Sequence, residues 1–573
     1  MTRIDLINKN GLSSRQQSID AQSYSTQKTK VTGVLGDTNV LIRHHNRISC
    51  ECIKDVVDNL FKLYSGYIQE KDNKELLSMS DLPSRESIEV WSLNMTTRLE
   101  QWREVSCISR GKERGYRFIK TSNGYNIKVA LSQNMYVVRD CQEIFTDTTN
   151  IKNGDMLPSI RKFPSSKMHI ESINIIDWLI SYDRLFVKLR EDVTMEMLDE
   201  FISIPRKIRY HIINKPMRVN VASYVESGMF RSSLDLAETI DAGKPVGRIP
   251  VKMQLTDDLL SFLGHYSACG RSDGRTVVFK LTNKESVLAV GGLLKRFDLS
   301  LVKIKNVRFH YGINSSTLAI FLRSICGDNR TNNRLVKFWT QLDDKKLGVL
   351  LQGFFACYAN FESNQLYTRV DNDGIGSDLQ YALTRLGIKS RILTKYAKNP
   401  KGQPIRLLSI KINGRSNLLA FHKYIGFNIK KKRDLLENLI NRESLPESTL
   451  VDFVPMPVNY LPKFREKLKL SKLQMCRMSK SPRGYTALIE DRGLIPLYTF
   501  SYNFVKSMRK MNIDDVILND ELDYVSRLNK YTWSPVDTVY MVRTNNMIYD
   551  FSIDKGDAFL AGSGGFFLRS RKF

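Results

Sequence analysis

Long apolar runs are absent from this chain. None approaches the roughly 20 consecutive apolar residues of a membrane-crossing helix. The opening stretch MTRIDLINKNGLSSRQQS lacks the apolar core of a secretion signal. An intracellular protein of cytoplasm, nucleus or virion is therefore expected, with no membrane partner. Cysteine is sparse: eight in 573 residues, with no Cys-x-x-Cys pair. Cys50 and Cys52 follow RHHN with one residue between them, a shorter spacer than zinc sites favour. Reduced structural thiols and no metal site are the expectation. GSGG at 562–565 has no following Lys-Ser or Lys-Thr, which excludes a phosphate-binding loop. No serine or cysteine hydrolase signature stands out. Asp and Glu are missing altogether from Lys389 to Arg433.

What the chain has instead is positive charge. Lys and Arg number 87 against 60 Asp and Glu, a net charge of +27. Such an excess favours a polyanionic partner, nucleic acid being the commonest; surplus lysine kept for solubility is the alternative. With 42% hydrophobic and 26% charged residues the composition is that of a folded protein. Its length suggests about three or four domains.

The first 32 residues are rich in Ser, Gln, Thr and Lys and read as a flexible tail. From Gly33 onward, NVLIRH, GYRFIKTS, YNIKVAL and MYVVRD alternate as strands do, predicting an all-β module that pauses near 151–164. Residues 166–250 are mixed: TMEMLDEFISI has a helical period, and GKPVGRIPVK reads as a linker. From 251 to 440 helix and strand alternate. There LVKIKNVRFHY, 301–311, predicts one strand, with Val302 and Ile304 on one face and Lys303 and Lys305 on the other. Residues 441–534 are helical and basic. VDTVYMVR and MIYDFSI, within 535–573, return to β alternation. The β module is thus split, 33–165 plus 535–573, around an insertion.

This split resembles an intein (Hint domain) with a nested homing endonuclease. VLGDTNVLIRHHNRISCECIKDVV resembles the opening intein block, with its Gly36-Asp37-Thr38 turn. FTDTTNIKNGDMLPSIRKFP is similar to the segment closing the N-terminal splicing half, and NMIYDFSIDKGDAFLAGSGGFF to the penultimate block. Between them, LLSFLGHYSACG and VLLQGFFACYAN sit where the two motif helices of a LAGLIDADG (DOD-type) endonuclease belong. The fold class implied is multidomain α+β. It combines a split all-β Hint domain, an inserted pseudo-two-fold αββαββα LAGLIDADG domain and a small helical accessory region. That last region reads as a helix-turn-helix or a linker bundle.

In the motif helices Gly264 and Ala268 are four apart, as are Gly353 and Cys357, so each pair lies on one face. A buried helix of ordinary kind carries small residues too. Two such helices, each followed by strands, favour a close helix–helix seam. The resemblance implies an acid at the end of each helix, the two carboxylates holding Mg²⁺ for hydrolysis of DNA. The matching positions are Cys269 and Tyr358. A thiol and a phenol are poor ligands for so hard a cation. Asp273 and Glu362 lie four residues further on, beyond the expected helix ends.

The splicing residues are missing as well. The position matching the first intein nucleophile is Gly33, which has no side chain to attack with. The Thr-x-x-His motif matches Leu131 to Asn134, and the terminal His-Asn matches Arg569 and Ser570. Serine cannot cyclise as asparagine does. Only a short tail precedes Gly33 and almost nothing follows Ser570, so no spliced host is expected.

Lys389, Arg391, Lys395, Lys398, Lys401, Arg406, Lys411 and Arg415 fall on the expected strands and loop of the second repeat. Lys303, Lys305 and Arg308 are their counterparts in the first. In the resemblance this surface faces DNA, with phosphate contacts and strands that reach base edges; a solvated charged face is the alternative. The leading expectation is a degenerate, free-standing relative that binds double-stranded DNA without cutting it or splicing itself. It would be a monomer with internal pseudo-symmetry and no cofactor. Two alternatives stand beside it: an active Mg²⁺-dependent endonuclease with displaced ligands, and a component of a larger viral, chromatin or transcription assembly.

Overall fold

The computed structural model describes residues 31–570 apart from 72, 84–86, 95–96, 98, 165–168, 181, 183, 195, 198–217, 227–235, 244–247, 399–401, 444, 446–451, 457–459, 482, 493–494, 512 and 554–556. Residues 1–30 of the expected tail, most of the helix expected in TMEMLDEFISI, and Lys401 lie outside the described residues.

The two ends of the chain build one β domain. Tyr531–Val542 pairs with Met156–Ile160 along one half and with Tyr116–Thr121 along the other. Asn546–Ile553 runs against Glu100–Glu113 and Val34–Leu35. Ala558–Ala561 pairs with Phe566–Arg569 and touches Asn39–His44 and Ile88–Leu93. These late strands all lie inside a 16-stranded sheet rather than at its edges. Their near-continuous burial explains their apolar runs: every residue of Ala558–Ala561 is buried. The domain is already formed at Val31, which packs on Ala130 and Ile548, and at the buried Thr32. Both had been counted with the tail. It resumes at Tyr531 rather than 535.

Between the halves come two smaller units. Phe186–Leu189, Arg218–Asn220, Ala237–Asp241 and Ile249–Pro250 form a four-stranded sheet, and Ser172–Asn174 pairs with Lys252–Gln254. The expected linker therefore ends in strand. The helices Tyr460–Lys467, Lys472–Ser479, Arg483–Arg492, Tyr498–Arg509 and Val516–Leu528 enclose their own core of Phe464, Met475, Phe504 and Leu522.

The inserted α/β domain is a duplicated unit. Its first repeat runs helix Asp257–Cys269, strands Gly270–Ser272 and Thr276–Lys280, helix Lys284–Lys295, strands Val302–Lys303 and His310–Asn314, helix Ser316–Cys326. The second runs helix Asp344–Tyr358, strands Asn360–Glu362 and Gln365–Val370, helix Asp373–Arg385, strands Arg391–Lys398 and Pro404–Asn413, helix Arg415–Tyr424. Both sheets have the same order, first strand, second, fourth, third, all antiparallel. Thr256 and Asp343 cap the two leading helices by accepting from the N–H of Leu259 and Lys346.

One expected strand is a hairpin instead. Val302–Lys303 pairs with Gly312 and Tyr311 of His310–Asn314, and the chain turns between them, with Asn306 and Phe309 at positive φ. The register places Lys303 on the side of Tyr311 and Phe279, and Val302 on the opposite, solvent side. Val302 and Lys303 thus fall on opposite faces, as alternation predicts, and it is Val302 rather than the lysine that lies on the outer one.

Candidate nucleic-acid interface and the positions at the helix seam

The two leading helices of the repeats cross with their backbones in contact. A Cβ on Gly264 would lie 2.0 Å from the Leu350 carbonyl oxygen, and one on Gly353 would lie 2.2 Å from that of Ser261. No side chain fits at either position. Ala268 and Cys357, one turn further along, are buried. The seam read from glycine spacing is therefore where the repeats meet.

At its end lie the two positions matching the acids. Cys269 Sγ stands 3.0 Å from Cys357 Sγ and 3.3 Å from the His265 carbonyl oxygen. Burial, then the neighbouring Cys357, pushes the Cys269 thiol well above its ordinary pKa. Burial pushes the Tyr358 phenol up too. Neither carries charge at neutral pH, so neither supplies the anionic oxygen Mg²⁺ prefers. Beneath them His265 donates from Nδ1 to the Ser261 carbonyl (2.7 Å) and accepts at Nε2 from the Ser286 hydroxyl (3.0 Å). Burial lowers its pKa to about 4, which keeps it neutral in this role.

The two acids further along do not substitute. Asp273 closes its own turn, accepting from the N–H groups of Thr276 and Arg275, and these bonds hold its carboxyl below the usual range. Glu362 is exposed at a strand end, 3.9 Å from Lys411. Among the described residues no group of three His, Cys, Asp or Glu side chains could hold a metal ion. The carboxylate whose charge acts on both Cys269 and Tyr358 is Asp371. It lies 3.6 Å from Arg330 Nε and 3.5 Å from Arg369 Nε. Burial raises its pKa, opposed by Arg330, Arg369 and Lys280. None of these four was legible as a site residue in the sequence. The available signal was their position at strand ends and in the loop facing the seam.

Strand parity sorts the basic residues. In the second sheet the buried residues Leu366, Thr368, Val370, Ile392, Leu408, Ile410 and Ile412 define the inner face. Register then places Arg391, Lys411 and Tyr367 side by side on the outer face, together with Lys395 and Arg369. Lys398 and Arg406 have the opposite parity, and Arg406 is held by Asp373 through two bonds of 2.6 and 2.8 Å. Arg391 reaches the Ser122 carbonyl of the β domain (2.9 Å), and Arg415 reaches that of Arg442 (2.7 Å). Lys389 is in a different place altogether. It pairs with Asp452, which also receives Arg161, under the ring of Tyr498. Burial, with Arg161 nearby, drives its pKa well down. In the first sheet Lys303, Lys305 and Arg308 are exposed on the hairpin. Register places Lys280, Arg271 and His310 on the outer face, and the sequence reading had missed them.

The positions matching the splicing residues in the resemblance also come together. Gln133 accepts the N–H of Gly33 at Oε1 (2.9 Å) and donates from Nε2 to the carbonyls of Arg569 (2.8 Å) and Asn134 (3.0 Å). The chain before Gly33 is fastened too: Ser132 donates to the Val31 carbonyl, and Thr32 donates to the buried Asp550. Leu131 offers its carbonyl to Thr148 (2.9 Å). Ser570 accepts from the Ile553 N–H (2.8 Å) and is buried. Gly33 has φ +119°, and a Cβ there would lie 2.1 Å from the Tyr549 carbonyl oxygen. A nucleophile-bearing residue does not fit in this backbone.

Comparison with known proteins places a LAGLIDADG-like domain at residues 348–426, the core of the second repeat. The chain is 30% identical over 178 residues to a DNA polymerase of Thermococcus sp. (strain GE8), covering 31% of this chain and 10% of the polymerase. It is 35% identical over 100 residues to a probable translation initiation factor IF-2 of Pyrococcus horikoshii, covering 17% of this chain and 8% of that one. The chain thus spans a tenth or less of these relatives. Among solved structures, a KlbA intein precursor from Methanococcus jannaschii matches 24% of this chain and 70% of its own, at 18% identity and a TM-score of 0.21. Full-length DUF199/WhiA from Thermatoga maritima matches 48% of this chain and 92% of its own, at 13% identity and a TM-score of 0.25.

Proposed function

We propose that this chain, with its LAGLIDADG-like domain nested in an intein-like β domain, binds double-stranded DNA without cleaving it and without splicing itself. The observation that carries the reading is the contrast at the pseudo-two-fold seam. The helix crossing is intact, both acid positions are neutral, and basic residues line the outer sheet faces and the exposed hairpin of the first repeat. Lys280, Arg271, Lys303, Lys305 and Arg308 in one repeat, and Arg369, Lys395 and Lys411 in the other, supply phosphate contacts. Arg330, Arg369 and Lys280 around the single carboxylate of Asp371 leave the centre net positive, so a phosphate can approach the seam without a bridging cation.

An electrophoretic shift on duplex DNA tests this. Binding should appear in low salt, persist in a chelator, and weaken steeply as salt rises, with a logarithmic slope of about −7 if all eight of these residues meet phosphates. Absence of binding to any duplex would sink the reading. Nicking of plasmid DNA that needs Mg²⁺ and stops on chelation would favour the endonuclease reading instead. Stoichiometric co-purification with one assembly, without DNA affinity, would favour a structural role.

A further inference from the structure

We propose that Cys269 and Cys357 are an oxidative modification site, forming a disulfide that joins the two motif helices covalently. Their sulfurs are in contact at 3.0 Å, and among the described residues no other two thiols touch. The contact is held from below. Gly264 and Gly353 put the helix backbones against each other, so the helices cannot slide apart at this level. Both thiols also point at one acceptor, the His265 carbonyl, at 3.3 and 3.9 Å. Cys269 is the last residue of its helix and Cys357 the penultimate residue of the other, where backbone adjustment is easiest.

Access is unequal, and this sets the order of events. Cys269 is partly exposed, whereas Cys357 is buried. Hydrogen peroxide is the oxidant class that fits. The Cys269 sulfur, as thiolate, attacks one peroxide oxygen, the O–O bond breaks, and water leaves once the second oxygen is protonated. Cys269 is then a sulfenic acid. The Cys357 sulfur attacks it, the S–O bond breaks, and a second water leaves. Two thiols and one peroxide give one disulfide and two waters. Because burial holds the Cys269 thiol protonated, the reaction is slow at neutral pH and accelerates as pH rises. The bond would close a loop between residues 88 apart in sequence and fix the crossing beneath the vacated acid positions.

The test uses the full chain. It is exposed to hydrogen peroxide at mildly alkaline pH, remaining thiols are alkylated, and the protein is digested without reductant for mass spectrometry. The expected result is a linked peptide pair containing Cys269 and Cys357, two fewer alkylatable thiols, and a higher thermal midpoint, all reversed by dithiothreitol. Cys357→Ser should abolish the linked pair, and Cys326→Ser should leave it. Two results would overturn the proposal: both thiols remaining alkylatable, or Cys269 passing to sulfinic acid without cross-linking. Mapping on the unmutated chain decides the matter even where a variant fails to fold.

Discussion

Substituting cysteine at Gly33 would, from the sequence alone, restore a splicing nucleophile. The structure predicts that it unsettles the β domain instead. The backbone at Gly33 has φ +119°, and the new Cβ would sit 2.1 Å from the Tyr549 carbonyl oxygen, 2.8 Å from its carbon and 2.9 Å from the Asp550 Cβ. Two of these are backbone atoms of the strand Asn546–Ile553, paired on its other side with Glu100–Glu113, so relief needs a strand to move. A side chain in a positive-φ backbone costs about 1–2 kcal/mol. Overpacking against a fixed backbone adds roughly 1–3 kcal/mol. The sum, roughly 2–5 kcal/mol, corresponds to a fall of roughly 5–20 °C in the midpoint of a domain this size. Gly154 supplies the control, since its φ is +94° but nothing lies within 4 Å of its Cβ position. Gly154→Ala should lose only the conformational part. Thermal unfolding of Gly33→Ala, Gly33→Cys and Gly154→Ala, with amide exchange along Asn546–Ile553, measures the difference. The reasoning is refuted if Gly33→Cys matches the unmutated chain in stability and is cleaved at this residue by added thiol.

At the helix seam, Gly264→Ala should destabilise the inserted domain by about 3 kcal/mol or more, because the clash is with the Leu350 backbone; Gly291→Ala, with open space around it, should be neutral or gain up to about 1 kcal/mol in a denaturant titration. His265, with its pKa lowered to about 4 by burial, stays unprotonated when folded while the unfolded chain takes up a proton near pH 6.5. Stability is therefore full above pH 6.5 and should fall by roughly 3 kcal/mol as pH drops to 4, a slope that His265→Gln flattens. Lys395→Ala should reduce the salt slope of DNA binding by about 1 and leave stability unchanged. Lys389→Ala, which strips one partner from the buried Asp452, should cost on the order of 2 kcal/mol of stability and leave the salt slope alone.

Much of the fold was legible because it follows from periodicity and from small residues at fixed spacing. The motif helices end where their glycine faces and following strands predicted, at Cys269 and Tyr358. The length of a strand was harder. Val302, Lys303 and Ile304 alternate as expected, but the chain turns after Ile304, a change that positive φ at Asn306 and Phe309 makes possible and that alternation cannot signal. The acid-free run after Lys389 is uniform in sequence and heterogeneous in space. Lys395 and Lys411 share the outer face, Arg406 is tied to Asp373 on the other, and Lys389 is folded into an ion pair with a residue 63 positions away. Long-range partners of this kind, like Gln133 joining Gly33 to Arg569, leave no local trace.

On the function proposed above, cleavage and splicing fail for one physical reason. A catalytic position depends on a polar group kept partly unsatisfied until substrate or metal arrives, at a standing cost in stability. Here each such position has been satisfied from within the protein. Cys269 bonds to Cys357 and to the His265 carbonyl, Gly33 lies flat against Tyr549, and Ser570 is hydrogen-bonded to Ile553 and Phe551 of the strand Asn546–Ile553. A single substitution at any of these places would therefore break a packed contact before it could regain a reaction. The outer faces of the sheets are under no such constraint. Exposed basic residues there, such as Lys395, keep their charge without a fixed internal partner, which is why the proposed function rests on binding rather than on cleavage.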